Sequence, residues 1–165
     1  MSDTPPDTPE GRLAAMGIEL PSPPRPAANY LTAVRTGSLL YTSGHGPVLS
    51  DGTSIAGKVG VDVDIDLAVQ AARLTGLNLL ATLRSELGSL NSVVRIVKVL
   101  GLVNCSPEFT MHPTVIDGCS DLLVEVFGDA GRHARSAVGM TSLPFDITVE
   151  IELVAEITVK HATLL

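Results

Sequence analysis

The 165-residue chain carries a net charge of −7 and a sequence pI near 4.9, which excludes a general nucleic-acid binder, whose affinity rests on neutralising phosphates with lysine and arginine. Hydrophobic residues make up 45% of the chain, yet aromatics are only 3% and tryptophan is absent, so the core must be built from valine, leucine, isoleucine and alanine. No apolar run approaches the ~20 residues of a bilayer span, and the start, MSDTPPDTPEGRL, lacks the basic and apolar regions of a signal peptide, so the default expectation is a single-domain cytoplasmic protein with no membrane partner.

Residues 1–29 hold most of the prolines and read as an extended arm containing a short helix over Pro9 to Met16. The folded domain is expected over 30–158, with 159–165 as a tail. Tyr30 to Arg35, a turn at Thr36-Gly37, and Ser38 to Ser43 form a hairpin that Gly44-His45-Gly46-Pro47 ends abruptly. An extended piece around Ile55 to Val59 completes a three-stranded meander. Asp64 is a good N-cap for a long helix reaching about Leu87, with Ala68, Ala72, Leu79 and Leu83 on its apolar stripe and Gly88 at the C′ position. Gly76 in mid-helix costs about 1 kcal/mol against alanine, which close packing on a sheet would explain. Val93 to Val103 is a strand, and Pro113 opens a second helix ending at Phe127. Two further strands, Ser136 to Thr141 and Ile147 to Ile157, complete a β-β-β-α-β-α-β-β order. The expected class is α+β, one mixed sheet with two helices on one face.

The strand from Val93 to Val103 carries Val93, Val97, Val99 and Val103 on one face and Val94, Ile96, Leu100 and Leu102 on the other. A sheet covered on one side only should show a polar second face. Both faces are apolar, and the chain has no further helices to cover the second, so another subunit is expected there.

Candidate chemistry concentrates in Gly131 to Glu152. A basic cluster, Arg132, His133 and Arg135, stands at a strand entrance, and Glu150 and Glu152 share one face of the last strand. Arg135 offers a rigid fork matched to a carboxylate, and Glu150 can serve as a base or orient water; together they suggest a small-anion site. The structural alternatives are an inter-subunit ion pair for Arg135 and a solvated face, shared with Glu152 and Glu156, for Glu150. Tyr30 and Ser43 bracket the hairpin, where cross-strand packing alone explains them. His45 is an acid–base candidate or simply an exposed turn residue, and Asn104 either caps a strand end or touches a ligand. Cys105 and Cys119 match no metal or redox spacing, and Cys119 falls on an apolar helical stripe. His45, His112, His133 and His161 form no ligand cluster, so neither a metal nor another cofactor is expected.

Tyr30, Tyr41-Thr42-Ser43-Gly44, Gly57-Lys58-Val59-Gly60, Val103-Asn104, His133 to Gly139, Leu143-Pro144 and Val149 to Glu152 resemble the Rid family, also called the YjgF or L-PSP endoribonuclease-like family, over about residues 28–158. The chain looks most similar to its longer subgroup, which carries an N-terminal extension. The resemblance implies a chorismate-mutase-like fold, a homotrimer with clefts between subunits, and hydrolysis of enamines and imines to 2-oxo acids and ammonia. It further implies that Arg135 clamps a substrate carboxylate, that Glu150 helps to position water, and that Tyr30, Ser43 and Gly44 line the pocket. Three positions depart from the pattern. Ala137 stands where catalytic members commonly carry cysteine, although its backbone carbonyl can still hold water. Asp117 stands where asparagine is frequent, and His45 adds an imidazole. A non-catalytic trimer that binds small carboxylate metabolites is the alternative; ribonuclease activity is implied only by the older family name.

Overall fold

The computed structural model describes residues 7–23 and 28–159; residues 1–6 and 24–27 of the predicted arm and 160–165 of the tail lie outside them. Three helices, α1 (Pro9–Ala15), α2 (Ile65–Leu87) and α3 (His112–Phe127), accompany five strands, β1 (Ala33–Thr36), β2 (Leu39–Thr42), β3 (Val93–Asn104), β4 (Ala134–Met140) and β5 (Val149–Ile157). The strands form one mixed sheet in the order β1-β2-β5-β3-β4, with β4 at an edge and parallel to β3 and every other pairing antiparallel. The α+β class and mixed sheet are as expected. The short helix expected over Pro9 to Met16 is α1, so three helices and not two accompany the sheet.

Local chemistry accounts for the helices. Asp64 caps α2 by accepting from the Leu67 amide, and Gly88 closes it in the left-handed region at φ 77°. Gly76 faces the other helix and not the sheet: a Cβ there would lie 2.9 Å from Leu122 and 3.2 Å from Cys119, both on α3. Thr8 caps α1, whose Leu13 is buried in the core. Glu10 fastens that helix by pairing with Arg84 of α2 at 2.6 Å and accepting from the Leu90 amide.

Two expectations are corrected. Ile55 to Val59 makes only isolated bridges, Ala56 to Ile147 and Val59 to Val63 and Cys105, and is not a third meander strand; β2 pairs with β5 instead. On β3, register shifts between Val93 and Arg95 and between Ile96 and Lys98 each insert one residue against β5. Each bulge reverses the alternation of faces. Ile96 therefore joins Val93, Val99 and Val103 beneath the helices, while Val97 turns outward. The other face, carrying half-buried Leu100 and Leu102 and exposed Val97, Val138 and Tyr41, has no helix over it among the described residues.

Candidate functional site

β5 lies inside the sheet, and its alternation sends Val149 and Ile151 into the core while Glu150 and Glu152 look to the open face. Glu150 forms part of a cleft of ≈ 230 Å³ lined by Tyr30, Ser43, Gly44, His45, Phe145 and Ile147, among others. Its carboxyl is raised above the ordinary range, first by burial and then by the neighbouring charge of Glu152. Gly44 makes room for it, because a Cβ there would overlap the Glu150 carboxylate. Ser43 Oγ donates to the Leu31 carbonyl at 2.6 Å, tying the two sides of the hairpin at the cleft.

His45 is buried, and the expectation of an exposed turn residue is overturned. Nδ1 lies 2.8 Å from the Ser43 carbonyl, which can only accept, so the proton sits on Nδ1 and Nε2 accepts from the Thr82 hydroxyl, also at 2.8 Å. Burial lowers its pKa, the Ser43 bond opposing, which favours the neutral ring. The imidazole thus pins the Gly44–Gly46 turn to α2 with both nitrogens engaged.

The opposite wall of the cleft is the turn Pro144–Asp146, where Phe145 and Asp146 both take φ 56°, a region unusual for a bulky side chain. Asn104 supports it. Fully buried, it donates from Nδ2 to Asp146 and accepts at Oδ1 from Lys58, and Lys58 also reaches the Thr141 carbonyl. Asn104 therefore sits behind the wall. Phe145, 86% exposed at the cleft mouth, carried no sequence signal beyond its place after Leu143-Pro144. Thr82 was legible only as a hydroxyl interrupting an apolar helix.

Arg135 is on the other side of the sheet. It aligns with core-facing Val99 on edge strand β4, and its guanidinium meets α3, 2.7 Å from Asp117 and 3.0 Å from Ser120 Oγ. Ser120 accepts from Arg135 and donates to His133 Nε2 at 3.1 Å, while His133 Nδ1 donates to the Gly131 carbonyl. His133 is lowered by burial first, then by the charges of Arg135 and Lys98, with the Gly131 bond opposing. Ala137 aligns with Gly101 two residues along and packs against the core. Arg135, Asp117 and Ala137 form one group on the helix side of the sheet; Glu150 looks to the open face, with Tyr30, Ser43 and Gly44 beside it in the cleft, and the His45 ring reaches back to α2. Among the described residues, no group of three or more His, Cys, Asp or Glu could hold a metal, and no helix is long and apolar enough to cross a membrane.

Residues 10–157 match the family model described as "YjgF/chorismate_mutase-like, putative endoribonuclease". Protein TCP17 of Trypanosoma cruzi is 40% identical over 152 residues, spanning 89% of this chain and 95% of its own. The crystal structure of Atu1372 from Agrobacterium tumefaciens, a protein titled as of unknown function, is 44% identical with a TM-score of 0.83, covering 92% of this chain and 95% of that one. A structure from Shewanella oneidensis MR-1, titled "a putative endoribonuclease", is 37% identical with a TM-score of 0.87, covering 91% and 99% respectively. The family model and these likenesses agree, and the chain belongs to the YjgF/chorismate-mutase-like, or Rid, family.

Proposed function

We propose that the protein binds small 2-imino or 2-oxo carboxylates in clefts completed between the subunits of a homotrimer, and that it hydrolyses the imines to 2-oxo acids and ammonia. One observation carries this reading. Among the described residues, the Glu150 cleft contains a carboxylate with a raised pKa and no lysine or arginine, while Arg135 stands on an edge strand facing the other way. A cleft with a base and no cation is half of a carboxylate site, and a second copy supplying Arg135 provides the other half. The uncovered, partly apolar sheet face supplies the surface on which copies would meet.

In this arrangement Arg135 holds the substrate carboxylate by a bidentate pair. Glu150 takes a proton from the water that attacks the imine carbon and passes it to the nitrogen; the hydroxyl of the resulting carbinolamine then yields its proton to the nitrogen as the C–N bond breaks, leaving the 2-oxo acid and ammonia. Imines hydrolyse unaided, so orienting substrate and water supplies most of what is required. The acidic chain counts against RNA as the substrate.

The Asp117–Arg135 pair favours a second reading, a metabolite-binding trimer without turnover, since Asp117 competes with the ligand for the guanidinium. The test is to generate 2-iminopropionate in situ with an amino-acid oxidase, trap residual imine with semicarbazide, and compare wild type with Arg135→Ala and Glu150→Gln. Faster imine loss in wild type, abolished by Arg135→Ala and strongly reduced by Glu150→Gln, is the expected result. Ligand-dependent thermal stabilisation without turnover selects the binding protein, and a light-scattering mass of one chain overturns both readings.

A further inference from the structure

A second cleft, of ≈ 280 Å³, opens where β3 and β4 end and α3 begins. Among the described residues it shares no lining residue with the Glu150 cleft. Inside it Cys105 Sγ lies 3.4 Å from His112 Nε2. The imidazole stands edge-on to Phe109, with ring centroids 5.6 Å apart, which sets its orientation. Gly139 on β4 lets the two groups meet: a Cβ there would overlap His112 Nε2 and lie 2.8 Å from Cys105 Sγ. Burial raises the thiol, opposed by the Met140 backbone bond and the charge of Lys58, so it is protonated at rest, and with the ring proton on Nδ1 it donates to Nε2. This is a nucleophile resting against its base. Among the described residues, the remaining lining offers the hydroxyls of Ser106, Thr110 and Thr141 and the apolar surfaces of Pro107, Phe109 and Met140, but no carboxylate, lysine or arginine. Such a cleft suits a small uncharged molecule with a carbonyl to hydrogen-bond.

We propose that Cys105 and His112 form a covalent site for small, uncharged α,β-unsaturated carbonyl compounds, separate from the Glu150 cleft. As the sulfur bonds to the β-carbon, the thiol proton passes to His112 Nε2 and the alkene electron pair shifts toward the carbonyl oxygen. The resulting enolate takes the proton back from the imidazolium at its α-carbon. Nothing leaves, and neither oxidant nor reductant is consumed.

The test treats the whole protein with methyl vinyl ketone and follows adduct formation by intact mass and peptide mapping. Cys119, wholly buried with its thiol pushed up to about 12, is the internal control. One adduct on Cys105, absent in Cys105→Ser and formed about 10²-fold more slowly in His112→Phe, is the expected result. His112→Phe keeps a ring against Phe109 and removes Nε2; Gly139→Ala, which displaces the imidazole from the thiol, slows the reaction in the same direction. Unfolding would speed alkylation of a buried thiol, so slowing cannot arise from misfolding; should His112→Phe lose its cooperative melt, His112→Gln replaces it. No adduct on Cys105, equal rates in wild type and the His112 variant, or labelling of Cys119 at the same rate would each overturn the proposal.

Discussion

Arg135 donates to the carboxylate of Asp117 at 2.7 Å, with the arginine side chain 24% exposed and the aspartate 50%. The guanidinium is thus engaged before any ligand arrives, and a bound carboxylate must replace or share that partner. Asp117→Asn keeps the shape and removes the competing charge. We expect it to tighten 2-oxobutyrate binding by about 1.5 kcal/mol, roughly tenfold. Calorimetric titration of both proteins checks this, and unchanged affinity would place the ligand elsewhere.

Gly44 and Glu150 make a complementary prediction. Alanine at position 44 drives its Cβ into the carboxylate, so Gly44→Ala should cost about 1–3 kcal/mol of stability, as overpacking does, along with most turnover. The double variant Gly44→Ala/Glu150→Ala should regain the stability and not the activity. Thermal melts and the imine assay on the four corners of the cycle resolve the coupling.

Glu150 has a folded pKa above its unfolded one. Protonation is therefore favoured by folding, so its contribution is fully present below the unfolded pKa and is lost as pH rises through the folded pKa. Glu150→Gln should accordingly raise the melting temperature at pH 7 relative to wild type, with the gain shrinking toward pH 4. Turnover, which needs the carboxylate, should fall on the acid side with a midpoint above the ordinary carboxylate range.

For His45 the sign is opposite. Its folded pKa is depressed, so its contribution is present above the unfolded pKa near 6.5 and is lost as pH falls through the folded value. His45→Asn should flatten the loss of stability between pH 7 and pH 5. Thr82→Val, which removes the hydroxyl facing Nε2, should cost about 1 kcal/mol at pH 7, measured by denaturant titration.

The docked α1 helix is open to a stability test as well. Leu13 is 1% exposed, so Leu13→Ala should cost about 2–5 kcal/mol, whereas Glu10→Ala, which breaks a half-exposed ion pair and frees the Leu90 amide, should cost about 1 kcal/mol.

Much of this architecture was legible because its signals were local. Asp64, Gly88 and Pro113 mark helix boundaries through capping chemistry, and the long helices and final strands follow from periodicity. The β3 bulges were invisible: Val94 and Val97 are ordinary strand residues, and the extra residue is defined only by pairing with β5. The site divided in the same way. The motif named Arg135 and Glu150, but strand alternation in sequence does not say which face of the sheet each one sees. His45 misled because a glycine-flanked histidine reads as exposed, whereas its burial depends on Thr82, 37 residues away. Gly76 was correctly read as a close approach and assigned to the wrong partner.

The Glu150 cleft has a floor and walls of different origin. Its base is carried by an interior strand, held by neighbours on both sides, while Val48, Ser54, Phe145 and Ile147 come from the irregular segments around it. Proton affinity at the floor is thus an inherited property of the sheet, and the shape of what fits above it is an acquired one. Exchanging segments 46–54 and 144–147 for those of a relative would regraft selectivity while leaving the acid–base chemistry in place.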